Sequence, residues 1–126
     1  MSGTILAVDD SKTVRASLKY ALSNNGFEIE LAENGRKGLE ILSDMDNEGW
    51  KPDMIISDIN MPVMDGITFI KEVKGEPKYK YIPILVLTTE SQEAKKMEGK
   101  EAGAAGWLVK PFSNEQLLAV VNKFVR

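Results

Sequence analysis

The chain has 126 residues, of which 43% are hydrophobic and 28% are charged, and its formal net charge is −3. This composition fits one globular domain over residues 1–126 and excludes collagen-like and disordered chains. Because the chain has neither cysteine nor histidine, it has no disulfides and no imidazole or thiolate chemistry, and any metal must be bound through oxygen.

Lysines and acidic residues are interspersed along the chain, which argues against a basic nucleic-acid-binding face. No apolar run is long enough to cross a bilayer, and the first residues do not form a cleavable leader. We therefore expect a cytoplasmic protein that binds neither nucleic acid nor membrane.

Short apolar runs predict five β-strands. The third, at residues 54–58, is bounded by Pro52 and Pro62 and is apolar on both faces, as in the interior of a parallel sheet. Residues 27–31 instead alternate apolar and acidic side chains, which predicts one exposed face. The other three strands are predicted at residues 5–8, 82–87 and 106–109.

Apolar residues at helical spacing follow each strand and predict five helices. The first is capped by Asp10 or Ser11 and stopped by Gly26, and the last is capped by Ser113 or Asn114. The second, third and fourth helices are predicted after residues 34–35, after residues 65–66 and over residues 92–102.

Five strands that alternate with five helices indicate an α/β fold, a doubly wound five-stranded parallel sheet with right-handed crossovers and helices on both faces. The carboxyl ends of parallel strands share one edge, and ligands bind at that edge in open α/β sheets. Five polar residues stand at or just after strand ends and are expected to converge there: Asp9, Asp10, Asp58, Thr88 and Lys110.

Three carboxylates at one edge repel each other, which raises their pKa values unless a cation neutralises them. Oxygen ligands favour Mg²⁺, Mn²⁺ or Ca²⁺, and a few carboxylates with a carbonyl and several waters suit Mg²⁺. Lys110 and Thr88 add an ammonium and a hydroxyl that can hold phosphoryl oxygens. One carboxylate is then free to attack phosphorus.

Taken singly, each of these residues has an ordinary structural interpretation. The acid pair can cap a helix, Thr88 can end a strand, and Lys110 before a proline can simply be solvated. The joint occurrence of an acid pair, an aspartate, a threonine and a lysine, in that order at the ends of strands one, three, four and five, favours a functional site.

Four segments together resemble the signature of two-component response-regulator receiver domains. In order and with typical spacing, they are residues 8–10 (VDD), 57–66 (SDINMPVMDG), 87–90 (LTTE) and 103–112 (GAAGWLVKPF). The resemblance covers essentially the whole chain and is greatest to the single-domain, CheY-like type. It implies the strand order 2-1-3-4-5.

The resemblance implies that Asp58 accepts a phosphoryl group from the phosphohistidine of a sensor histidine kinase. Mg²⁺, for which Mn²⁺ can substitute, would be bound by Asp10, Asp58 and the backbone carbonyl of Asn60, with Asp9 acting through water. The chain would catalyse only its own phosphorylation and dephosphorylation and would not be an enzyme toward another substrate.

The resemblance also implies a conformational switch. Lys110 would offset charge on the transferring phosphoryl group, Thr88 would move toward it, and Trp107 would swing inward. These movements would change the surface formed by the fourth helix, the fifth strand and the fifth helix. The bond between Lys110 and Pro111 is expected to be cis.

Three features depart from the family pattern. Trp107 stands where Tyr or Phe is usual, and its larger indole need not bury by the same rotation. Thr89 stands where Ala or Gly is usual, and we expect its bulk to restrict access to the phosphoryl group, which Asn60 and Glu90 also flank. The fourth helix has one large apolar residue and an internal glycine, which predicts a marginally stable, mobile output element.

Other classes of protein use similar residues. A phosphatase of the haloacid-dehalogenase type carries its nucleophilic Asp-x-Asp on the first strand and its acid pair late, which is the reverse of the order here. A flavodoxin-like binder needs a Ser/Thr/Gly-rich loop after the first strand, where this chain has two acids that repel phosphate. A receiver that acts as a phosphorylation-independent scaffold remains an alternative.

Because the chain ends after the fifth helix, we expect its output to be protein contact. The expected partners are a sensor histidine kinase, a downstream protein target and a phosphatase, and the expected state is a monomer or a weak phosphorylation-dependent dimer. The sequence does not specify the kinase or the target, for which a chemotaxis motor and a phosphorelay are both candidates.

Overall fold

The computed structural model describes residues 3–89 and 93–125. Strands and helices alternate along the chain in the predicted order. They are β1 (Gly3–Val8), α1 (Lys12–Ser23), β2 (Phe27–Ala32), α2 (Gly35–Asn47), β3 (Met54–Asp58), α3 (Gly66–Gly75), β4 (Ile84–Thr88), α4 (Glu93–Ala102), β5 (Gly106–Val109) and α5 (Asn114–Phe124). Within the described residues, no helix has the length and apolar character needed to cross a membrane.

The five strands form one parallel sheet in the order β2-β1-β3-β4-β5, which confirms the predicted fold class and strand order. β1 and β3 are neighbours, and the chain order reverses between them. In sheets of this kind the ligand site lies at that point, beyond the carboxyl ends of the strands. The register aligns Val8 with Ser57 and Asp58 with Leu87, so the predicted polar residues follow the strands at one edge.

Neither Asp9 nor Asp10 is the N-cap of α1, so both side chains remain available at the edge of the sheet. The side chain of Ser11, not that of Asp10, accepts a hydrogen bond from the Val14 N–H and caps α1. At α5, Ser113 is the cap and forms a capping box with Gln116. The side chains of Asn34 and Asp65 cap α2 and α3 in the same way.

The core lies in two layers, one on each face of the sheet. Successive residues of β1 alternate between these layers, because side chains of a strand point to opposite faces. Ile5 packs with α1 and α5, whereas Leu6 packs with α2 and α3, and both are fully buried. Phe69 is also fully buried and is among the largest side chains of the second layer.

Two sequence-based expectations need correction. β4 begins at Ile84 and not at residue 82, because Pro83 has no N–H to donate to the ladder, although its carbonyl accepts from the Ile55 N–H at 2.9 Å. The mostly polar sequence of residues 76–81, between α3 and β4, predicts a surface loop, but Tyr79 is buried and its hydroxyl donates to the Leu42 carbonyl at 3.1 Å.

Helix α4 is the least buried helix of the fold. Its buried residue is Gly99, and Met97 is 53% exposed. A Cβ at position 99 would lie 3.6 Å from Val86 Cγ2 and 3.7 Å from Ile67 Cδ1, which are ordinary van der Waals distances. The sequence predicts that this helix starts at residue 92, which lies outside the described residues. The marginal stability of α4 remains a prediction.

We predict that Gly99→Ala stabilises α4. The methyl group makes van der Waals contact with Val86 and Ile67 without a clash, and alanine reduces the conformational freedom of the unfolded chain, for a gain of about 1 kcal/mol. Chemical denaturation measures the global change, and native-state hydrogen exchange measures the opening of α4.

Gly75→Ala is the matched control, because a Cβ there, at the end of α3, has no atom within 4 Å. It should give a smaller gain in stability and should leave exchange in α4 unchanged. A destabilised Gly99→Ala variant, or unaltered exchange in α4, would contradict the prediction.

Candidate functional site

Four of the predicted residues meet at the carboxyl edge of the sheet. Asp9 follows β1, Asp58 ends β3, Thr88 ends β4, and Lys110 follows β5. The Lys110 Nζ lies 3.1 Å from Asp9 Oδ2 and 3.3 Å from Asp58 Oδ1. The side chains of Asp9 and Asp58 are 0% and 9% exposed, so this ammonium stands between two buried carboxylates.

Asp9 is held from three directions. Its Oδ1 accepts the Ser11 N–H at 2.8 Å, its carbonyl accepts Arg15 Nη1 at 2.7 Å, and its own N–H donates to the Ala32 carbonyl at 3.0 Å. These contacts fix the carboxylate in its position beside Lys110. No sequence motif pointed to Arg15, because its partner is a backbone carbonyl.

Asp58 is positioned by the turn that follows β3. Its Oδ1 accepts the Ile59 N–H at 2.9 Å, and the Gly66 N–H closes the loop by donating to the Ile59 carbonyl at 2.8 Å. A Cβ at Gly66 would collide with the backbone carbonyl of Asp58. In the sequence Gly66 belongs to the turn before the third helix and ends the motif at residues 57–66, and the structure shows that glycine is required there for close approach to Asp58.

The carboxylates at this edge outnumber the one ammonium beside them, and this affects the pKa values of Asp58 and Lys110. Burial, together with repulsion from Asp9, raises the pKa of Asp58 from 3.8 to about 6, against the opposing effect of Lys110. Burial alone would lower the pKa of Lys110, but Asp58 and Asp9 together raise it above its ordinary value. The Lys110 ammonium therefore does not fully offset the burial of Asp58 and its repulsion from Asp9.

Asp10 completes a group of three acids that fits a divalent cation. Asp9, Asp10 and Asp58 each offer a carboxylate oxygen, and these oxygens lie within 4.8 Å of one another. Asp10 is exposed while the other two are buried, so an ion held at this position would have both protein ligands and access to water. Oxygen donors and incomplete protein coordination suit Mg²⁺.

Thr88 is buried beside this group. Among the residues that the structure describes, its Oγ1 is the one buried side-chain polar atom without a hydrogen-bond partner. Its backbone carbonyl accepts the Lys110 N–H at 2.6 Å, which links the ends of β4 and β5. Asn60 and Thr89 are exposed at the same edge, and Glu90 lies outside the described residues.

Trp107 lies on β5 beneath this edge. It is half-buried against the core layer of α2 and α3, and the Lys96 Nζ lies 4.4 Å from the centroid of its indole ring. Lys96 was not identified from the sequence, because a contact between α4 and β5 depends on how the helix packs. The bond between Lys110 and Pro111 is cis, as expected.

Comparison with known proteins identifies the family. The family model described as the response regulator receiver domain matches residues 5–122. The chain belongs to this family. Membership implies that it accepts a phosphoryl group in two-component signalling, and it sets aside the phosphatase and flavodoxin-like alternatives.

Individual relatives agree with this assignment. The structure of the chemotaxis response regulator CheY4 of Vibrio cholerae is 44% identical, covers 99% of this chain and 100% of that one, and superposes with a TM-score of 0.87. The sensor histidine kinase CheAY of Helicobacter pylori is 38% identical over 97% of this chain and 15% of its own length. The response regulator MprA of Mycobacterium tuberculosis is 37% identical over 100% of this chain and 52% of its own.

These curated relatives are longer than the region of similarity. The chain spans about half the length of MprA and a smaller part of CheAY. The similarity therefore concerns the receiver portion of those proteins.

We predict that Asp58→Asn stabilises the metal-free protein at neutral pH. The pKa of Asp58 is higher in the folded than in the unfolded chain, so the folded state binds the proton more tightly, and this contribution is lost as pH rises from about 4 through 6. Removing the charge should therefore raise the free energy of unfolding by about 2 to 3 kcal/mol above pH 6, and by less as the pH falls toward 4.

Chemical denaturation in EDTA between pH 4 and 8 measures this difference. Asp44→Asn removes an exposed carboxylate on α2 and is the control, which should leave the free energy of unfolding nearly unchanged. If Asp58→Asn is equally or less stable than the parent at pH 8, the charge of Asp58 does not lower the free energy of unfolding, and the prediction is wrong.

Proposed function

We propose that the chain is a phosphorylation-activated signalling switch in which Asp58 is the phosphoacceptor. The observation that carries the proposal is the placement of this buried carboxylate, held by the Ile59 N–H and Lys110 beside the acid pair. The phosphoryl donor would be the phosphohistidine of a sensor histidine kinase. Receiver domains are signalling domains, and we infer that this chain catalyses only its own phosphorylation and dephosphorylation.

In the transfer, an Asp58 oxygen forms a bond to phosphorus while the bond from phosphorus to the histidine nitrogen breaks. The Lys110 ammonium, already 3.3 Å from Asp58 Oδ1, would pair with an oxygen of the transferred group. The hydroxyl of Thr88 has no other partner among the described residues and would donate to another of these oxygens. Asp9 positions Lys110 for this role.

The proposed metal ligands are Asp10, Asp58 and the backbone carbonyl of Asn60, with Asp9 acting through water. Mg²⁺ bound there, or Mn²⁺ in its place, would offset charge on the phosphoryl oxygens. The chain itself contributes the donor oxygens, since those of Asp9, Asp10 and Asp58 already lie close together. Removal of the metal should therefore abolish the reaction without unfolding the protein.

The proposed output surface is that of α4, β5 and α5. Thr88, at the site, and Trp107, on β5, would change position on phosphorylation, and α4 is held by few buried contacts. A downstream protein would read this surface, and a phosphatase is a further proposed partner. A chemotaxis target is suggested by the likeness to CheY4, and the protein is proposed to be a monomer or a weak phosphorylation-dependent dimer.

Intact-mass spectrometry after incubation with acetyl phosphate tests the phosphoacceptor. We expect a gain of one phosphoryl group that requires Mg²⁺ and disappears in Asp58→Asn. Asp44→Asn, at an exposed position on α2, should react like the parent. No mass gain under any condition, in a protein that is folded by circular dichroism, would favour the phosphorylation-independent scaffold.

We also predict that Thr89→Ala accelerates both phosphorylation and loss of the phosphoryl group. Thr89 is exposed next to Thr88, at the end of β4, and we propose that its branched side chain narrows the approach to Asp58. Time courses of the mass gain and of its decay should each become severalfold faster. Thr68→Ala, an exposed threonine on α3, is the control, and unchanged rates in Thr89→Ala would refute a gating role for this side chain.

A further inference from the structure

A groove opens beside Lys110, between α1 and the segment that follows β5. Its volume is about 450 Å³, and its lining includes Val14 and Ser17 from α1 and Pro111 and Phe112 from the opposite side. A groove of this volume lies within the range of small-molecule sites. Neither the sequence motifs nor the proposed phosphoryl transfer assigns a role to it.

The walls of this groove, which we call the α1 groove, are mainly apolar and are anchored in the fold. Val14 and Phe112 are half-buried and pack against the core layer of α1 and α5. Ser17 is exposed on the helix side and leaves the groove open to solvent. An apolar group that enters the groove would remove apolar surface from water without requiring the walls to rearrange.

One end of the α1 groove reaches the phosphoacceptor site. Lys110 lines the groove, and its Nζ lies 3.3 Å from Asp58 Oδ1. Thr89, which flanks the approach to Asp58, also lines it. A ligand with an apolar body in the groove and an anionic group at this end would therefore place that group beside Lys110 and Asp58.

We propose that the α1 groove binds the acyl group of a small acyl phosphate, and that the chain takes phosphoryl groups from donors with large apolar acyl groups in preference to acetyl phosphate. The proposal rests on the function proposed above and adds the class of small-molecule donor. Benzoyl and isobutyryl phosphates represent this class.

The reaction balances without any further reagent. A carboxylate oxygen of Asp58 forms a bond to phosphorus, and the bond from phosphorus to the acyl oxygen breaks. The electron pair of that bond leaves with the acyl group as a free carboxylate, and no net proton transfer is required. The groove holds the leaving acyl group, and Lys110 pairs with the anionic end.

Initial rates of Asp58 phosphorylation by acetyl, isobutyryl and benzoyl phosphate, measured by intact mass, test the proposal. We expect the second-order rate constant for benzoyl phosphate to exceed that for acetyl phosphate by about tenfold, or ~1.4 kcal/mol. The gain should come from a lower apparent KM at a similar maximal rate, because the contact is the same before and during transfer.

Two variants separate the groove from the intrinsic reactivity of the donors. Ser17→Leu projects a larger side chain into the groove from an exposed helix position, and the ratio of the benzoyl to the acetyl rate should fall severalfold. Ala16→Leu adds the same side chain to the same helix at an exposed position outside the lining, and the ratio should match that of the parent.

An equal ratio in the parent and in Ser17→Leu would overturn the proposal, whereas Asp58-dependent mass gain with all donors would leave the proposed function intact. If Ser17→Leu slows transfer only from a histidine kinase, the groove receives a protein segment and the proposal fails. No phosphorylation by any donor would overturn both.

Binding without reaction gives an independent measurement. Benzylphosphonate cannot transfer its phosphoryl group, and we expect it to shift the NMR signals of Val14 and Phe112 in the parent but not in Ser17→Leu. Methylphosphonate, which has no large apolar group, should leave those two signals unchanged. Shifts with both compounds, or with neither, would contradict an apolar acyl site.

Discussion

Lys110 stands between two buried carboxylates, and the chemistry of this edge depends on how its single charge is shared. Its Nζ is 3.1 Å from Asp9 Oδ2 and 3.3 Å from Asp58 Oδ1, so the two carboxylates share one ammonium. Burial, together with repulsion from Asp9, raises the pKa of Asp58 to about 6, and the shared ammonium does not fully offset these two effects. Such a site gains from any additional positive charge, and a divalent cation held by the nearby oxygens would supply it.

The positions of the main site residues follow from topology, which explains why they were predictable. In a parallel sheet every strand presents its carboxyl end to the same edge, so a polar residue after each apolar run must lie near the others. Asp9, Asp58 and Lys110 met this condition in the sequence and converge in the structure. The strand order, in contrast, was predictable only from the family resemblance, because a shared carboxyl edge is compatible with many orders of parallel strands.

The contacts that position these residues were not predictable, because they join distant elements through the backbone. Arg15 reaches the carbonyl of Asp9, and Gly66 approaches the carbonyl of Asp58, and neither contact leaves a pattern in side-chain chemistry. The buried Tyr79 was missed for a related reason, since its hydroxyl is satisfied by the carbonyl of Leu42 in α2. Local sequence thus indicates which groups react, whereas tertiary packing determines how firmly they are held.

The contact between Lys96 and Trp107 suggests how a small change at the site can reach α4. A cation–π contact at a partly exposed position is worth about 0.5 to 1 kcal/mol, which is small against the stability of a domain. It is large, however, for a helix whose buried residue is a glycine. A movement of Trp107 that breaks this contact would therefore change the position or order of α4 more than that of helices anchored in the core.

The residues that line the α1 groove differ in whether they also belong to the phosphoacceptor edge. Lys110 and Thr89 belong both to the groove and to the phosphoacceptor edge, whereas Val14 and Phe112 line the groove and pack against the core. Contacts made by the last two are equal in the bound and reacting states, so they lower the donor concentration needed without changing the chemical step. Selection among donors by this groove would consequently matter most when donors are scarce, and phosphorylation by an abundant donor would depend on Asp58, Lys110 and the metal alone.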